Sequence, residues 1–153
     1  HDKMDYKTSA RIIIEHVTRG VELAKKHKLP EQIIDFIRTH HGTSTVQYFY
    51  KSYLNTNPDD DVDADDFTYP GPKPSSKEMA VLMIADSVEA ASRSMKNINP
   101  ESINELVDHI VDYQTKEEQY TDADITFRDI STIKEIFKKK LTNIYHARIE
   151  YPK

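Results

Sequence analysis

The segment 79–95 is apolar on nearly every side as far as Asp86, so a helix formed there has to lie in the interior of the protein. Ser75, followed three residues later by Glu78, has the capping-box pattern that predicts the start of this helix. An ionised carboxylate inside such a helix is costly to desolvate unless a cation or several donors contact it. Asp86 is therefore a candidate functional residue.

Apolar residues recur with helical spacing through most of the chain, which predicts an all-α fold without a substantial sheet. A bundle of five to six helices is expected, with the helix that carries Asp86 as the most buried. The aromatic content of the third helix would also suit a strand. The other predicted helices are residues 7–27, a helix from Pro30 to the histidine pair, 46–54, 100–114 capped by Asn99, and a long helix opened by Thr126 and Asp129.

Residues 58–74 lack any periodicity and carry six aspartates between positions 59 and 66, followed by a proline-rich half. The first aspartates imitate an EF-hand loop, but Asp66 stands where that loop needs Gly and Pro72 where it needs Glu, which excludes a calcium site of this type. We expect the acidic half to be a mobile, dispensable loop without apolar anchors. The proline-rich half is expected to form a rigid wall where Lys73 could contact a phosphate.

The formal charge of −5 is misleading, because the six loop aspartates account for more than all of it and the rest of the chain carries about +1. A small anion could therefore bind locally, whereas a broad face for a DNA or RNA duplex is not supported. The absence of Cys excludes disulfides and thiolate metal sites, which leaves His and carboxylates as metal ligands. No apolar run reaches the length of a membrane span.

Two adjacent histidines, His40 and His41, stand at the predicted C-terminal end of a helix, just before Gly42. Neighbouring side chains on a helix point about 100° apart, but where the helix unwinds they can diverge toward two metals, or toward a metal and a phosphate. A solvated helix end is the alternative, because cationic imidazoles also suit the negative end of the helix dipole.

His16 falls within the apolar half of the first predicted helix, and Gly20 one turn later is expected to leave open space beside its imidazole. A core histidine bonded to a carbonyl oxygen is the alternative. Together with His40, His41 and Asp86, His16 would complete a set of three imidazoles and one carboxylate from separate helices. Such nitrogen and oxygen sites are used by Mn, Fe or Zn.

Arg93 shares the face of Asp86 two turns further along the helix, since seven residues return to within about 20° of the starting direction. This position suits a guanidinium that takes a phosphate oxygen beside a metal-bound carboxylate. The alternative is a salt bridge to Glu101 or Glu105 on the next helix.

Five segments of the chain stand out as motifs. They are Ile14-Glu15-His16-Val17, Thr39-His40-His41-Gly42-Thr43, Tyr69-Pro70-Gly71-Pro72, Ala85-Asp86-Ser87-Val88-Glu89-Ala90 and His146-Ala147-Arg148-Ile149-Glu150-Tyr151-Pro152. Together these motifs resemble those of the HD-superfamily domain of the seven-transmembrane, PgpH-type cyclic di-AMP phosphodiesterases. The likeness covers essentially the whole chain, so residues 1–153 are expected to be the later part of one such domain, with 58–74 as a loop within it.

The resemblance implies a hydrolase with two divalent metal ions, Mn or Fe, that opens cyclic di-AMP to the linear dinucleotide. The implied metal ligands are His16, His40, His41 and Asp86. The implied catalytic residues are Asp86 and His41, and the implied substrate-binding residues are Arg93, Lys73, Thr43 and Tyr69.

The resemblance also implies a cytoplasmic domain of an inner or plasma membrane protein, tethered through transmembrane segments that this sequence does not contain. The family uses seven metal ligands, of which four are expected here. The other three are a histidine and a His-Asp doublet upstream, and His1-Asp2 resembles the stretch that follows that doublet.

Three other functions are compatible with these residues. The chain could be a nucleotide-binding sensor that no longer cuts, or a helical interaction module in which the histidines are a relic. It could also be an HD hydrolase for cyclic di-GMP or guanosine tetraphosphate, because the metal ligands do not read the base. Turnover, metal uptake and thermal shift separate these functions.

Overall fold

The structure is a computed structural model that describes residues 5–150, with only the backbone of residues 148–150. Across this range it contains six helices and no strand, which confirms the predicted all-α fold. The chain forms two compact units that divide between Lys73 and Pro74. The helices are α1 (Tyr6–Lys26), α2 (Glu31–Thr39), α3 (Gln47–Thr56), α4 (Lys77–Ser92), α5 (Pro100–Lys116) and α6 (Phe127–Glu150), with a 3-10 helix at Ala64–Phe67.

The first unit is built on α1, which contacts α2, α3 and the 3-10 helix. Helix α1 begins after Asp5, whose side chain accepts a hydrogen bond of 2.7 Å from the backbone N–H of Thr8. Helix α2 begins after Pro30, which is its N-cap rather than its first residue as predicted. His27 and Lys28 carry the chain from α1 toward α2.

The expected gap beside His16 is not present. A Cβ atom added to Gly20 would lie 3.0 Å from Cγ2 of Ile37, so α2 fills the space that the glycine leaves. Gly20 therefore allows α1 and α2 to approach closely. The apolar half predicted for α1 is also partly at the surface, since His16 is exposed and Leu23 is 57% exposed.

The acidic half of segment 58–74 is anchored, contrary to the prediction that it lacks apolar contacts. Phe67 is fully buried, and its ring centroid lies 5.3 Å from that of Tyr50 and 5.5 Å from that of Tyr53. Val62 packs against the same apolar cluster. The acidic run is thus followed directly by a buried aromatic residue, Phe67, which the composition of the run does not indicate.

Polar contacts also hold this segment to the rest of the first unit. The Lys7 ammonium lies 3.2 Å from the Asp66 carboxylate, and the Tyr53 hydroxyl donates a hydrogen bond to Asp60. Thr45 and Thr68 form an isolated antiparallel bridge. Residues 44–46 and 67–69 therefore run side by side.

The second unit contains α4, α5 and α6 around an apolar core. Five of the sixteen residues of α4 are buried, the largest share among the helices over the described range, which agrees with the prediction. Helix α4 is capped by Ser76 rather than by Ser75, because the Ser76 hydroxyl accepts the backbone N–H of Met79 at 3.2 Å. The core residues of α4 and α5 include Ala80, Ile84, Val88, Ile103, Val107 and Val111.

The caps predicted for α5 and α6 are present. Asn99 and Ser102 exchange side-chain and backbone hydrogen bonds of 2.9 and 3.0 Å at the start of α5. Thr126 and Asp129 exchange two bonds of 3.0 Å at the start of α6. Over residues 5–150, none of these helices combines the length and the apolar character that a membrane crossing requires.

Candidate metal centre

Three histidines of the first unit come together where the end of α2 meets α1. His16 lies on α1, His40 is the C-cap of α2, and His41 follows in the turn that leads to Gly42. One ring nitrogen of each lies within 4.8 Å of the other two. The structure thus brings together three of the four metal ligands that the resemblance implied.

The turn after α2 directs both neighbouring imidazoles to the same side. Gly42 adopts a φ of 51° and donates a backbone hydrogen bond of 2.9 Å to the carbonyl oxygen of Thr39. The His40 and His41 ring centroids are 4.1 Å apart, and they lie 5.2 and 5.0 Å from that of His16. The pair therefore converges on His16 instead of diverging toward separate sites.

Backbone carbonyl groups determine which nitrogen carries the hydrogen in two of the rings. His16 Nδ1 bonds to the carbonyl oxygen of Ile13, and His40 Nδ1 bonds to that of Ile37 at 2.6 Å. Because a carbonyl oxygen can only accept, each Nδ1 must be the N–H donor, and each neutral ring then has its lone pair on Nε2. Both rings thus present an acceptor nitrogen.

These two acceptor nitrogens face each other, with 3.1 Å between Nε2 of His16 and Nε2 of His40. Two lone pairs at this distance repel unless a cation lies between them or beside them, either a proton on one ring or a shared metal ion. Bonds of about 2.1 Å place neighbouring ligand nitrogens about 3.0 Å apart at a right angle and about 3.4 Å apart in a tetrahedron. The observed spacing suits two ligands of one ion.

The surroundings of His41 keep its imidazole neutral. Burial lowers the pKa of His41, and the neighbouring His40 and His16 lower it further, from 6.5 to about 3. A neutral imidazole is the form that binds metal ions. Tyr69 lies flat on this ring, with centroids 4.4 Å apart and planes 18° apart.

We expect the metal-free protein to lose stability as the pH falls from about 6.5 toward 3. Below pH 6.5 the unfolded chain binds a proton at His41 that the folded chain does not bind until about pH 3, so protons favour unfolding. Urea denaturation at pH 7 and pH 5, with a chelator present, measures this loss. The His41→Gln variant should lose less over the same interval, and an equal loss would contradict the assignment.

The second unit holds two further predicted site residues. Asp86 is half-buried on α4, and Arg93 is the C-cap of that helix. The Arg93 guanidinium lies 2.9 Å from the carboxylate of Glu89, one turn earlier on the same helix, and both side chains are exposed. The alternative prediction, a salt bridge from Arg93 to Glu101 or Glu105 on the next helix, is therefore wrong.

The remaining predicted residues lie in the first unit. Thr43 contacts Gly71, where an added Cβ would come within 2.8 Å of the Thr43 Cγ2 and where φ is 77°, so only glycine suits that position. Tyr69 is 8% exposed, and Lys73 is half-buried at the end of the unit. His1-Asp2 lies outside the described residues.

Comparison with known proteins gives consistent matches over the chain. Residues 1–91 match the HD domain family, and this match runs across the division between the two units. The chain is 43% identical over 152 residues to the cyclic-di-AMP phosphodiesterase PgpH of Bacillus subtilis and 41% identical to that of Listeria monocytogenes. These alignments cover 99% of this chain but only 21% of each relative, so the chain spans about a fifth of their length.

A solved structure has the same fold. The HD domain of L. monocytogenes PgpH, crystallised in complex with cyclic di-AMP, matches with a TM-score of 0.91 and 39% identity. The match covers 95% of this chain and 67% of that one.

Proposed function

Since this chain belongs to the HD domain family, whose members depend on metal ions, we propose that it hydrolyses cyclic di-AMP to the linear dinucleotide. The observation that carries the proposal is the pair of opposed Nε2 atoms of His16 and His40, 3.1 Å apart. The relatives named as cyclic di-AMP phosphodiesterases, and the complex of the similar HD domain with this dinucleotide, support the choice of substrate.

The donor set suits the metals used for phosphodiester hydrolysis. We assign His16, His40, His41 and Asp86 as ligands, and two divalent ions, Mn or Fe, as the cofactors of the complete site. Nitrogen donors with one carboxylate are typical ligands of these ions. Bound ions would supply Lewis-acid chemistry by lowering the pKa of water and offsetting the charge of the phosphate.

The chain's own residues would then have distinct roles. His41 and Asp86 are assigned to the catalytic centre, because one is held neutral and the other is a half-buried carboxylate. Lys73 and Arg93 supply cations for the two phosphates, and Thr43 completes the proposed substrate side. The metal ligands themselves do not read the base.

We further propose that residues 1–153 act as one phosphohydrolase domain, with 58–74 as a segment within it. The family match across both units supports this assignment. The resemblance to membrane-tethered phosphodiesterases supports a position on the cytoplasmic side of an inner or plasma membrane protein. Its partner is a cyclic dinucleotide and not a nucleic-acid duplex.

The test is turnover of cyclic di-AMP with Mn²⁺ by the full-length domain, in which the upstream ligands are expected, followed by chromatography of the linear product. Cyclic di-GMP and guanosine tetraphosphate are tested in parallel, and a chelator should abolish the reaction. Binding of cyclic di-AMP without turnover would instead identify a sensor. Failure to bind either Mn²⁺ or nucleotide would identify an interaction module.

In the full-length domain, Arg93→Ala should raise the KM for cyclic di-AMP by about tenfold or more, because it removes one charge-assisted contact to phosphate. The metal content should stay at the wild-type level, since Arg93 is a cation and cannot be a ligand. Steady-state kinetics and elemental analysis measure both quantities.

Glu89→Gln is the matched control, because it breaks the exposed ion pair but keeps the guanidinium. Its KM should stay within about twofold of wild type, as expected for the loss of a surface ion pair. Equal effects of the two substitutions would assign Arg93 a structural role.

A further inference from the structure

Tyr69 has closer contact with the histidine cluster than any sequence pattern indicates. Its ring stacks on His41, with centroids 4.4 Å apart and planes 18° apart, and forms a T-shaped pair with His16, with centroids 6.0 Å apart and planes at 85°. Offset stacking and edge-to-face packing are the two favourable arrangements of aromatic rings. Tyr69 therefore contacts two of the proposed ligands in favourable geometries.

The same geometry leaves Tyr69 little surface for a nucleotide. The residue is only 8% exposed, and one face of its ring is covered by the His41 imidazole. A base that stacked on that face would have to displace His41. Tyr69 is thus better placed to act on the histidine than on the substrate.

Tyr69 is itself fixed to the loop that carries His41. Its backbone N–H donates a hydrogen bond of 2.9 Å to the carbonyl oxygen of Ser44. The Ser44 N–H and hydroxyl both donate to the carbonyl oxygen of His41, at 3.1 and 2.7 Å. The ring and its partner imidazole are therefore connected through backbone as well as through stacking.

The anchor of this arrangement lies two residues before Tyr69. Phe67 is fully buried, and its carbonyl oxygen accepts a hydrogen bond of 2.7 Å from Val46. The segment 67–69 thus runs from a core contact directly to the histidine cluster. Movement of Tyr69 away from His41 would require this buried segment to shift.

We propose that Tyr69 is a positioning residue, whose ring fixes the orientation of the His41 imidazole for metal binding. The inference rests on the proposed function, because it requires a metal ion at the histidine cluster. Backbone carbonyl groups orient the His16 and His40 rings, and the Tyr69 ring sets the plane of the third. Outer-shell partners of this kind typically change metal affinity by about 10- to 100-fold when removed.

The experiment measures Mn²⁺ affinity by calorimetry for the full chain and for the variants Tyr69→Leu, Tyr69→Phe and Tyr6→Leu. Tyr69→Leu removes the stacking ring and should weaken binding about tenfold or more, whereas Tyr69→Phe keeps the ring and should stay within about threefold of wild type. Tyr6→Leu removes another ring of the first unit, which packs on Tyr48 and Phe49. It should lower the melting temperature without changing the affinity of the folded protein.

A metal-free measurement accompanies the affinities. Proton spectra should show the His41 ring signals shifted by the neighbouring Tyr69 ring in wild type and in Tyr69→Phe, and unshifted in Tyr69→Leu. Circular dichroism establishes that each variant is folded, and Tyr69→Met replaces Tyr69→Leu where the latter does not fold. Loss of the shift together with loss of affinity supports the positioning role.

Three results would overturn the inference. Tyr69→Leu could bind Mn²⁺ as wild type does, Tyr6→Leu could weaken binding equally, or Tyr69→Phe could fail to rescue it. A wild-type chain that takes up no Mn²⁺ contradicts the proposed function instead. In that case the ring signals of His41 alone decide whether Tyr69 orients the imidazole.

Discussion

Replacing His40 with alanine is expected to lower the affinity of the chain for Mn²⁺ by more than about 100-fold, since even outer-shell partners contribute up to that factor. His40 supplies one of the two opposed Nε2 atoms, and no neighbouring ring can take its place without leaving its own position. Calorimetry measures the affinity directly. The shift in melting temperature on adding Mn²⁺ should be lost as well, because bound metal stabilises only the folded state.

His109→Ala is the matched control for this experiment. His109 is an exposed histidine on α5 that stacks loosely on Tyr113, with ring centroids 6.4 Å apart, and it does not belong to the histidine cluster. Its substitution should leave the Mn²⁺ affinity unchanged. Wild-type affinity in the His40 variant would show that the opposed nitrogens are held by a shared proton and not by a metal.

The second large effect concerns stability. Phe67→Ala should lower the free energy of unfolding by about 3 to 5 kcal/mol, as is typical when a buried phenylalanine is truncated. Phe67 is fully buried and lies between Tyr50 and Tyr53, so its removal leaves a cavity in the first unit. Urea denaturation of the full chain, followed by circular dichroism, measures the change.

Asp61→Ala provides the comparison within the same segment. Asp61 is exposed, and its substitution should change the free energy of unfolding by less than about 0.5 kcal/mol. If Phe67→Ala changed the free energy of unfolding as little as Asp61→Ala does, the segment would be dispensable, as predicted from its acidic composition.

The helices could be predicted from sequence because their signals are local. Apolar spacing identified all six, and the caps at Asn99 and Thr126 follow from side chains that bond three residues away. The cap of α4 was assigned one residue early because Ser75 and Ser76 are both able to cap, and only the backbone geometry selects Ser76.

The incorrect predictions concern positions where segments that are distant in sequence contact each other. Nothing near Gly20 in the sequence reveals that Ile37 fills its space, and the acidic run gives no sign that Phe67 anchors it. The ligand types of the candidate site could be recognised from sequence, since a chain without Cys leaves His and carboxylates as metal ligands. The stacking of Tyr69 on His41 could not, because 27 intervening residues have to fold before the two rings meet.

The close approach of α1 and α2 at Gly20 sets the distance between the two opposed nitrogens of the candidate site. Each opposed imidazole is oriented within its own helix, by a carbonyl three residues earlier, so only the separation of the two helices determines the gap between their nitrogens. A single methyl group on Gly20 would push Ile37 outward by a few tenths of an ångström, one turn from each histidine. A side chain at position 20 would therefore change the distance between the two opposed nitrogens, and with it the fit of the candidate site to a bound ion.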